Sequence, residues 1–177
     1  YGVLAAATVT NAGVTTVVGH VGVSPGSAIA GDPIIIIGGI EQKANAHSLA
    51  AKNDLQIGYD KVQAMTTTQD LTGTPLAGLT LGPGIYNFDT SASLGVGTLT
   101  LDGGGDEFAQ WFFQIGSTII TSIGSSVKMI NAGDPYNVYW ALGSSATISQ
   151  NTTMVGSILA TASITMEKGS TLDGRAL

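Results

Sequence analysis

Two stretches near the C-terminus decide the fold: SATISQNTTMVG at residues 145–156 and SITMEKGSTLDG at residues 163–174. They lie 18 residues apart, and Ser, Thr, Thr and Gly coincide at their first, third, ninth and twelfth positions. Apolar residues also match at three of the positions between these. A fixed repeat of short β-type runs and turn residues is typical of a solenoid, in which each repeat forms one coil.

The repeat extends to other parts of the chain. WFFQIGSTII at residues 111–120 aligns with VYWALGSSAT at 138–147, and the larger shift of 27 residues fits an additional loop around 131–137. The N-terminal run VLAAATVT at 3–10 matches ILATASIT at 158–165, with four identical positions. We therefore expect a parallel β-helix with about 18 residues per coil and a triangular cross-section.

Alternation along each short strand predicts which side chains face the core. Side chains on a strand point to opposite faces in turn, so a coil has one inward and one outward set. The predicted inward residues are Val9, Ile119, Ala146, Ile148 and Ile164. Glycines at positions 103, 116, 143, 156 and 174 fit the corners, where a positive φ or a tight turn is needed.

The segment from about Ile40 to Met65 does not follow the repeat. Its small and apolar residues recur every three or four positions, which predicts one long α-helix. The residues expected on its buried side are Ala44, Ser48, Ala51, Leu55, Tyr59 and Val62. We expect this helix to interrupt the coil series and residues 1–177 to form a single domain.

The composition argues against several classes of function. Only 10% of the residues are charged and the net charge is −6, so no basic surface is available for nucleic acid. The chain has no cysteine, and no apolar run reaches the length of a membrane span. His20 and His47 are the only histidines, and neither belongs to a catalytic or zinc motif. We expect no catalytic residues, no metal, no cofactor and no membrane partner.

The acidic residues raise two further possibilities, a calcium site and a polysaccharide-degrading active site. The stretch DGGGDE at 102–107 lacks the ligand spacing of a calcium loop and is interpreted as a turn. Polysaccharide-degrading β-helices need paired carboxylates or an Arg or Lys base in a groove. Here Asp89, Asp102 and Asp173 are expected at coil corners, and the basic residues outside the helix are scattered. We therefore expect no enzyme. A non-catalytic adhesion or glycan-binding module remains open. A groove with aromatic stacking would favour it, whereas Trp111, Tyr139 and Trp140 alternate into or beside the core.

Several motifs together resemble the microbial ice-binding (antifreeze) proteins with a discontinuous β-solenoid fold. They are VGVSPG at 21–26, AKNDL at 51–55, LGPGIY at 81–86, LTLDG at 99–103, FFQIGS at 112–117 and DGRAL at 173–177. The resemblance implies a right-handed β-helix with one α-helix packed alongside and N-terminal coils stacked on C-terminal ones. It also implies a secreted monomer that binds ice, causes thermal hysteresis and inhibits recrystallisation. The start at Tyr1 without Met fits removal of a signal peptide.

The chain departs from the family in two places. Family members often carry a capping insertion before the helix, and the connection here is too short for one. Many also continue with another strand after the Gly-Arg-Ala-Leu motif, which closes this sequence. These differences concern the ends of the coil series and therefore the extent of any face that the coils share.

The resemblance implies that the middle strand of each coil carries the ice-binding residues. One outward ladder is Thr10, Thr165, Thr147 and Ile120, and a second is Thr8, Ser163, Ser145 and Thr118. Leu94 and Ala30 are expected to extend this face. Spacings of about 6.7 Å along a strand and about 4.8 Å between strands would give a regular grid of hydroxyl and methyl groups. The plain alternative is that outward Thr is common on any β-surface.

Overall fold

The computed structural model describes all residues from 1 to 177, and it is mainly β. Twenty short strands, one α-helix and one short 3-10 helix follow one another along the chain. The chain divides into two compact units, residues 1–60 with 175–177 and residues 61–174, which are described separately. The assignment of one domain stays a prediction.

The first unit consists of short coils. Its strands are β1 (Val3–Ala5), β2 (Thr8–Asn11), β3 (Thr15–Val18), β4 (Val21–Val23), β5 (Ala28–Gly31), β6 (Ile34–Ile37) and β7 (Glu41–Lys43). Strand β4 pairs in parallel with β1 and β7, β5 pairs with β2, and β6 pairs with β3. Val3 also pairs in parallel with Ala176, so C-terminal residues stack beside the first N-terminal strand, as the resemblance implied.

The α-helix α1 spans Ala46–Gln63 and is shorter than expected. The predicted start at Ile40 is wrong because Glu41–Lys43 pairs with β4 as a strand. The helix begins after Asn45, whose side-chain Oδ1 accepts the backbone N–H of Ser48 at 2.9 Å. The backbone N–H of Asn45 in turn donates to Ser48 Oγ at 3.1 Å, so the two residues cap each other.

The predicted burial pattern of the helix is confirmed within these shorter bounds. Ser48 and Val62 are buried, and the residues spaced between them on the same side, Ala51, Leu55 and Tyr59, are half-buried. Ala44 is the exception. It is exposed and precedes the helix in the left-handed conformation, with a φ of 46°.

The second unit contains the larger coil series. Its strands are β8 (Gln69–Asp70), β9 (Thr80–Leu81), β10 (Gly84–Phe88), β11 (Ala92–Leu94), β12 (Thr98–Asp102), β13 (Trp111–Ile115), β14 (Ile119–Thr121), β15 (Ser126–Ile130), β16 (Val138–Leu142), β17 (Ala146–Ile148), β18 (Thr153–Ala160), β19 (Ile164–Met166) and β20 (Thr171–Ala176), whose last two residues belong to the first unit. A 3-10 helix spans Pro135–Asn137.

The strands of the second unit pair in parallel along three faces. The first face contains β8, β10, β13, β16 and part of β18, and the middle face contains β11, β14, β17 and β19. The third face contains β9, β12, β15 and the starts of β18 and β20. Ala146 pairs with Ile164, and Phe112 pairs with Tyr139. These pairs reproduce the shifts of 18 and 27 residues, so the predicted repeat and the parallel β-helix are confirmed.

The core of the second unit lies between the three faces. Ile119, Ala146 and Ile148 are buried as predicted, whereas Ile164, and Val9 in the first unit, are only half-buried. Phe113 stacks between two aromatic rings, with centroids 5.4 Å from Tyr86 and 3.9 Å from Trp140. These stacked rings and aliphatic side chains hold the strands of successive coils in one register.

The corner glycines have two different physical reasons. Gly156 has a φ of 96°, as the prediction of a positive φ requires. Gly143 instead packs so closely on the previous coil that a Cβ there would collide with the carbonyl oxygen of Gly116. A Cβ on Gly116 would in turn collide with the carbonyl oxygen of Asp89. At these corners a glycine is needed because of close stacking rather than backbone conformation.

Candidate functional site

The middle face of the second unit carries two aligned rows of small side chains. Pairing of the four strands places Ser93, Ile120, Thr147 and Thr165 side by side in one row. The other row lies two residues earlier on each strand and contains Ser91, Thr118, Ser145 and Ser163. These eight residues, all exposed or half-exposed, are called the middle-face residues below.

Core packing beneath the two rows holds the strands in position. Ala92, Ile119 and Ala146 lie between the rows in sequence and face inward, where they are almost completely buried. Ile148 is buried one position after Thr147. Because each strand is fixed by alternate side chains in the core, the outward side chains keep the spacing of the strands.

Hydrogen bonds between neighbouring coils order the hydroxyl groups of the earlier row. Ser163 Oγ donates to Ser145 Oγ at 3.0 Å, and the hydroxyl oxygens of Ser91 and Thr118 lie 2.8 Å apart. Backbone bonds beside them continue the same register, such as that from the Ala146 N–H to the Ser163 carbonyl oxygen at 2.8 Å. The hydroxyls therefore have restricted rotamers before any ligand is bound.

Six of the predicted site residues come together on the middle face. They are Thr118, Ile120, Ser145, Thr147, Ser163 and Thr165. Leu94 was predicted to join them, and this is wrong because Leu94 is 1% exposed and pairs with the buried Thr121. Ser93 occupies the outward position instead. A shift of one residue reverses the face of every side chain on a strand, which explains the error.

Thr8, Thr10 and Ala30 lie in the first unit, in the two-stranded sheet of β2 and β5. Thr10 pairs with Ala30, and Thr8 pairs with Ala28. All four side chains are exposed, while Val9 and Ile29 between them are half-buried. This sheet repeats the alternation of the middle face. A single ladder that includes both sheets stays a prediction.

The third face of the second unit also carries hydroxyls but includes charged side chains. Its outward residues are Thr80, Thr98, Thr100, Asp102, Ser126, Lys128, Thr153, Thr171 and Asp173, called the third-face residues below. The N–H of Gly104 and, secondarily, the side-chain amide of Asn131 hold the pKa of Asp102 below its ordinary value. Asp102 therefore carries its negative charge over the ordinary pH range, whereas no middle-face residue is charged.

The first face is contacted by the last turn of the helix and by the residues that follow it. Gln114 Nε2 donates to the carbonyl oxygens of Val62 at 2.7 Å and Met65 at 2.9 Å. Gln63 Nε2 donates to the carbonyl oxygen of Ala141 at 3.3 Å. The middle face is therefore the one face of the second unit whose aligned outward residues are both uncovered and uncharged.

No three His, Cys, Asp or Glu side chains lie close enough together to hold a metal ion. The one long helix is not apolar enough to cross a membrane.

The sequence model of the ice-binding-like family matches residues 3–177. The chain belongs to this family. It is 44% identical over its whole length to an ice-binding protein of Nostoc sp. strain HG1 and covers 65% of that protein. It is 30% identical over 71% of its length to ice-binding protein 1 of Shewanella frigidimarina strain NCIMB 400, of which it covers 14%. The chain thus spans less than two thirds of either of these members of the ice-binding-like family.

Solved structures of ice-binding proteins share the fold over the whole chain. The protein from the Antarctic ascomycete Antarctomyces psychrotrophicus has a TM-score of 0.94 at 34% identity, with 100% of this chain and 87% of that one covered. A protein from an Antarctic biological consortium has a TM-score of 0.91 at 33% identity, with 100% and 80% covered. The resemblance seen in the sequence and the β-helix fold are both confirmed.

Proposed function

We propose that this chain binds ice through the middle-face residues. The observation that carries the proposal is the pair of aligned, uncharged rows on a sheet whose strands are anchored in the core. The names of the Nostoc and Shewanella relatives describe them as ice-binding proteins, which supports the same function for this chain.

The chemistry of the two rows suits an ordered layer of water. Outward positions repeat about every 6.7 Å along a strand and about every 4.8 Å between strands, which forms a rectangular grid. Hydroxyl groups anchor water molecules by hydrogen bonds, while the methyl groups of Thr147 and Thr165 leave neighbouring waters free to bond to one another. A charged group would orient its own hydration shell and disturb this arrangement.

Ice binding of this kind requires many weak contacts to form together. Because Ile119, Ala146 and Ile148 fix the strands, the middle face loses little conformational entropy when it meets a crystal surface. The expected consequences are thermal hysteresis, inhibition of recrystallisation and a change in crystal shape. The proposal includes a secreted, monomeric and non-catalytic protein, because ice forms outside the cell and the function needs only the surface of one chain.

The test is thermal hysteresis and crystal shaping of the wild type and of Thr147→Tyr. We expect the wild type to shape ice and the bulky ring to abolish hysteresis, because it holds the face away from the crystal. Thr100→Tyr on the third face is the matched control and is expected to retain hysteresis. Circular dichroism confirms that both variants fold.

Each other result has a definite meaning. If Thr147→Tyr retains hysteresis, ice binding survives as a function but the middle face is not the site. If the wild type leaves ice growing freely, ice binding itself is wrong.

A further inference from the structure

Two neighbouring coils of the second unit carry loop insertions that the next coil lacks. One loop spans residues 103–110 between β12 and β13, and the other spans 131–137 between β15 and β16. In the following coil, strand β18 runs through the corresponding corner without interruption. The loops lie against each other, since the N–H of Gly105 donates to the Asn131 carbonyl oxygen at 3.0 Å.

Each loop exposes one large aromatic side chain to solvent. In both loops an aspartate two residues earlier accepts a hydrogen bond from the backbone N–H of the aromatic residue. Phe108 is 80% exposed, and its backbone N–H donates to Asp106 Oδ1 at 2.9 Å. Tyr136 is 59% exposed, and its N–H donates to Asp134 Oδ1 at 2.9 Å. The two residues lie 28 positions apart, the same shift that pairs Leu99 with Val127, so they occupy equivalent places in neighbouring coils.

The two loops are joined by a second hydrogen bond beside their aromatic residues. Asn137, next to Tyr136, donates from Nδ2 to the carbonyl oxygen of Glu107, next to Phe108, at 3.4 Å. Between the loops lies a surface cavity of about 710 Å³, lined among others by Glu107, Phe108, Asp134, Pro135 and Asn137. The exposed ring of Phe108 contributes little to folding and is available to a ligand.

The charge of the two loops restricts the kind of ligand. They contain acidic residues, together with Asp102 at the end of β12, and neither loop contains Lys or Arg. An anionic polymer would therefore be repelled. Carboxylates and the Asn137 amide accept and donate hydrogen bonds in the way that sugar hydroxyls require, and an exposed ring packs against the C–H face of a sugar.

We propose that this aromatic cleft between residues 103–110 and 131–137 binds a neutral saccharide chain. The Phe108 ring would pack against one sugar, while Glu107, Asp134 and Asn137, which line the same cavity, would hydrogen-bond to hydroxyls along the chain. The cleft is a second site, independent of the middle face. It would allow a chain that binds ice to attach to an extracellular polysaccharide at the same time.

The test is a titration of the whole chain with glucose hexasaccharides linked β-1,3, β-1,4 or α-1,4, followed by calorimetry and by NMR shifts of amides. We expect saturable binding of at least one hexasaccharide, with shifts in residues 103–110 and 131–137. Phe108→Ala should weaken this binding about fivefold, the loss expected for one aromatic contact. Val96→Ala removes a side chain that is 84% exposed elsewhere on the same unit, and it is the matched control.

Three results would overturn the proposal. They are the absence of binding to all three hexasaccharides, binding that Phe108→Ala leaves unchanged, and an equal loss in Val96→Ala. Hysteresis of Phe108→Ala is measured in parallel and is expected to equal that of the wild type. A failure of the saccharide site is thereby distinguished from a failure of ice binding.

Discussion

The middle and third faces of the second unit are built in the same way and differ in their charge. Each takes one short strand from every coil, and each carries hydroxyl oxygens 2.8 Å apart, between Ser91 and Thr118 on one and between Thr98 and Ser126 on the other. The third face also carries Lys128, and Thr100 pairs with that lysine. Aligned hydroxyls alone therefore do not distinguish a candidate ice-binding surface, and the absence of charge does.

The difference in charge between the two faces is related to the length of their strands and to the loops that follow them. On the third face, β12 and β15 are five residues long and lead into the loops around Asp102 and Asn131, whose side chains hydrogen-bond at 2.8 Å. On the middle face, β14, β17 and β19 are three residues long. Each coil contributes only two outward positions to the middle face, one to each row. Both positions are occupied by small or apolar uncharged residues.

Placing a charge on the middle face should have the largest effect. Thr165→Lys is expected to remove most of the hysteresis, because the ammonium group holds a hydration shell that competes with the lattice. Thr171→Lys on the third face is the matched control and should change little. Equal losses in both variants would show that net charge, rather than its position, controls activity.

A cavity beneath the middle face should have an intermediate effect on hysteresis. Ile148→Ala and Leu99→Ala remove completely buried side chains under the middle and third faces, and each should lower the free energy of unfolding by about 2–5 kcal/mol. Chemical denaturation measures this loss. At temperatures where both variants are folded, only Ile148→Ala should reduce hysteresis, because it loosens the strand that carries Thr147. Equal hysteresis in Ile148→Ala and Leu99→Ala would show that activity does not depend on the packing below the middle face.

Completing the row of hydroxyls should have a smaller effect. Ile120 is 53% exposed and is the one aliphatic residue in its row, where it pairs with Ser93 on one neighbouring strand and Thr147 on the other. Ile120→Thr should raise hysteresis modestly and leave the melting temperature nearly unchanged, because the side chain contributes little to the core. A decrease would mean that the larger apolar group is itself favourable at this position.

The effect of pH should be the smallest. Asp102 has a lowered pKa in the folded state, so its contribution to stability is complete above the ordinary value of 3.8 and is lost as the pH falls through the folded pKa. No middle-face residue titrates. Hysteresis should therefore stay constant from neutral pH to about pH 4, while acid unfolding of Asp102→Asn should be less steep than that of the wild type. Hysteresis that follows the third-face carboxylates would contradict the proposed division between faces.

The sequence predicted the repeat and most of the middle face because both depend on local alternation. Ala146-Thr147-Ile148 and Ile164-Thr165-Met166 align without a gap, so their outward threonines could be identified. Leu94 was misplaced because the alignment of that coil was looser. Its partner Thr121 is a buried polar residue that gives no apolar signal, although the alternation of Ser91, Ala92 and Ser93 contains the correct register.

Features that depend on contacts between distant segments could not be predicted. Glu41–Lys43 is polar and precedes a helical pattern, and only its pairing with β4 makes it a strand. The contact between loops 103–110 and 131–137 depends on hydrogen bonds such as that from Asn137 to Glu107, and neither loop has a periodicity of its own. In both cases the determining interactions join residues about 20 or more positions apart.

The most direct test of the proposed ice-binding face uses the absence of cysteine from the chain. A single cysteine is introduced by Thr147→Cys or, as the matched control, by Thr153→Cys, and a bulky adduct is attached through a disulfide. Hysteresis is measured before and after the adduct is released by reduction. The adduct at position 147 should abolish hysteresis and its release should restore it, with no change at position 153. Unchanged hysteresis with the adduct at position 147 would contradict ice binding through the middle face.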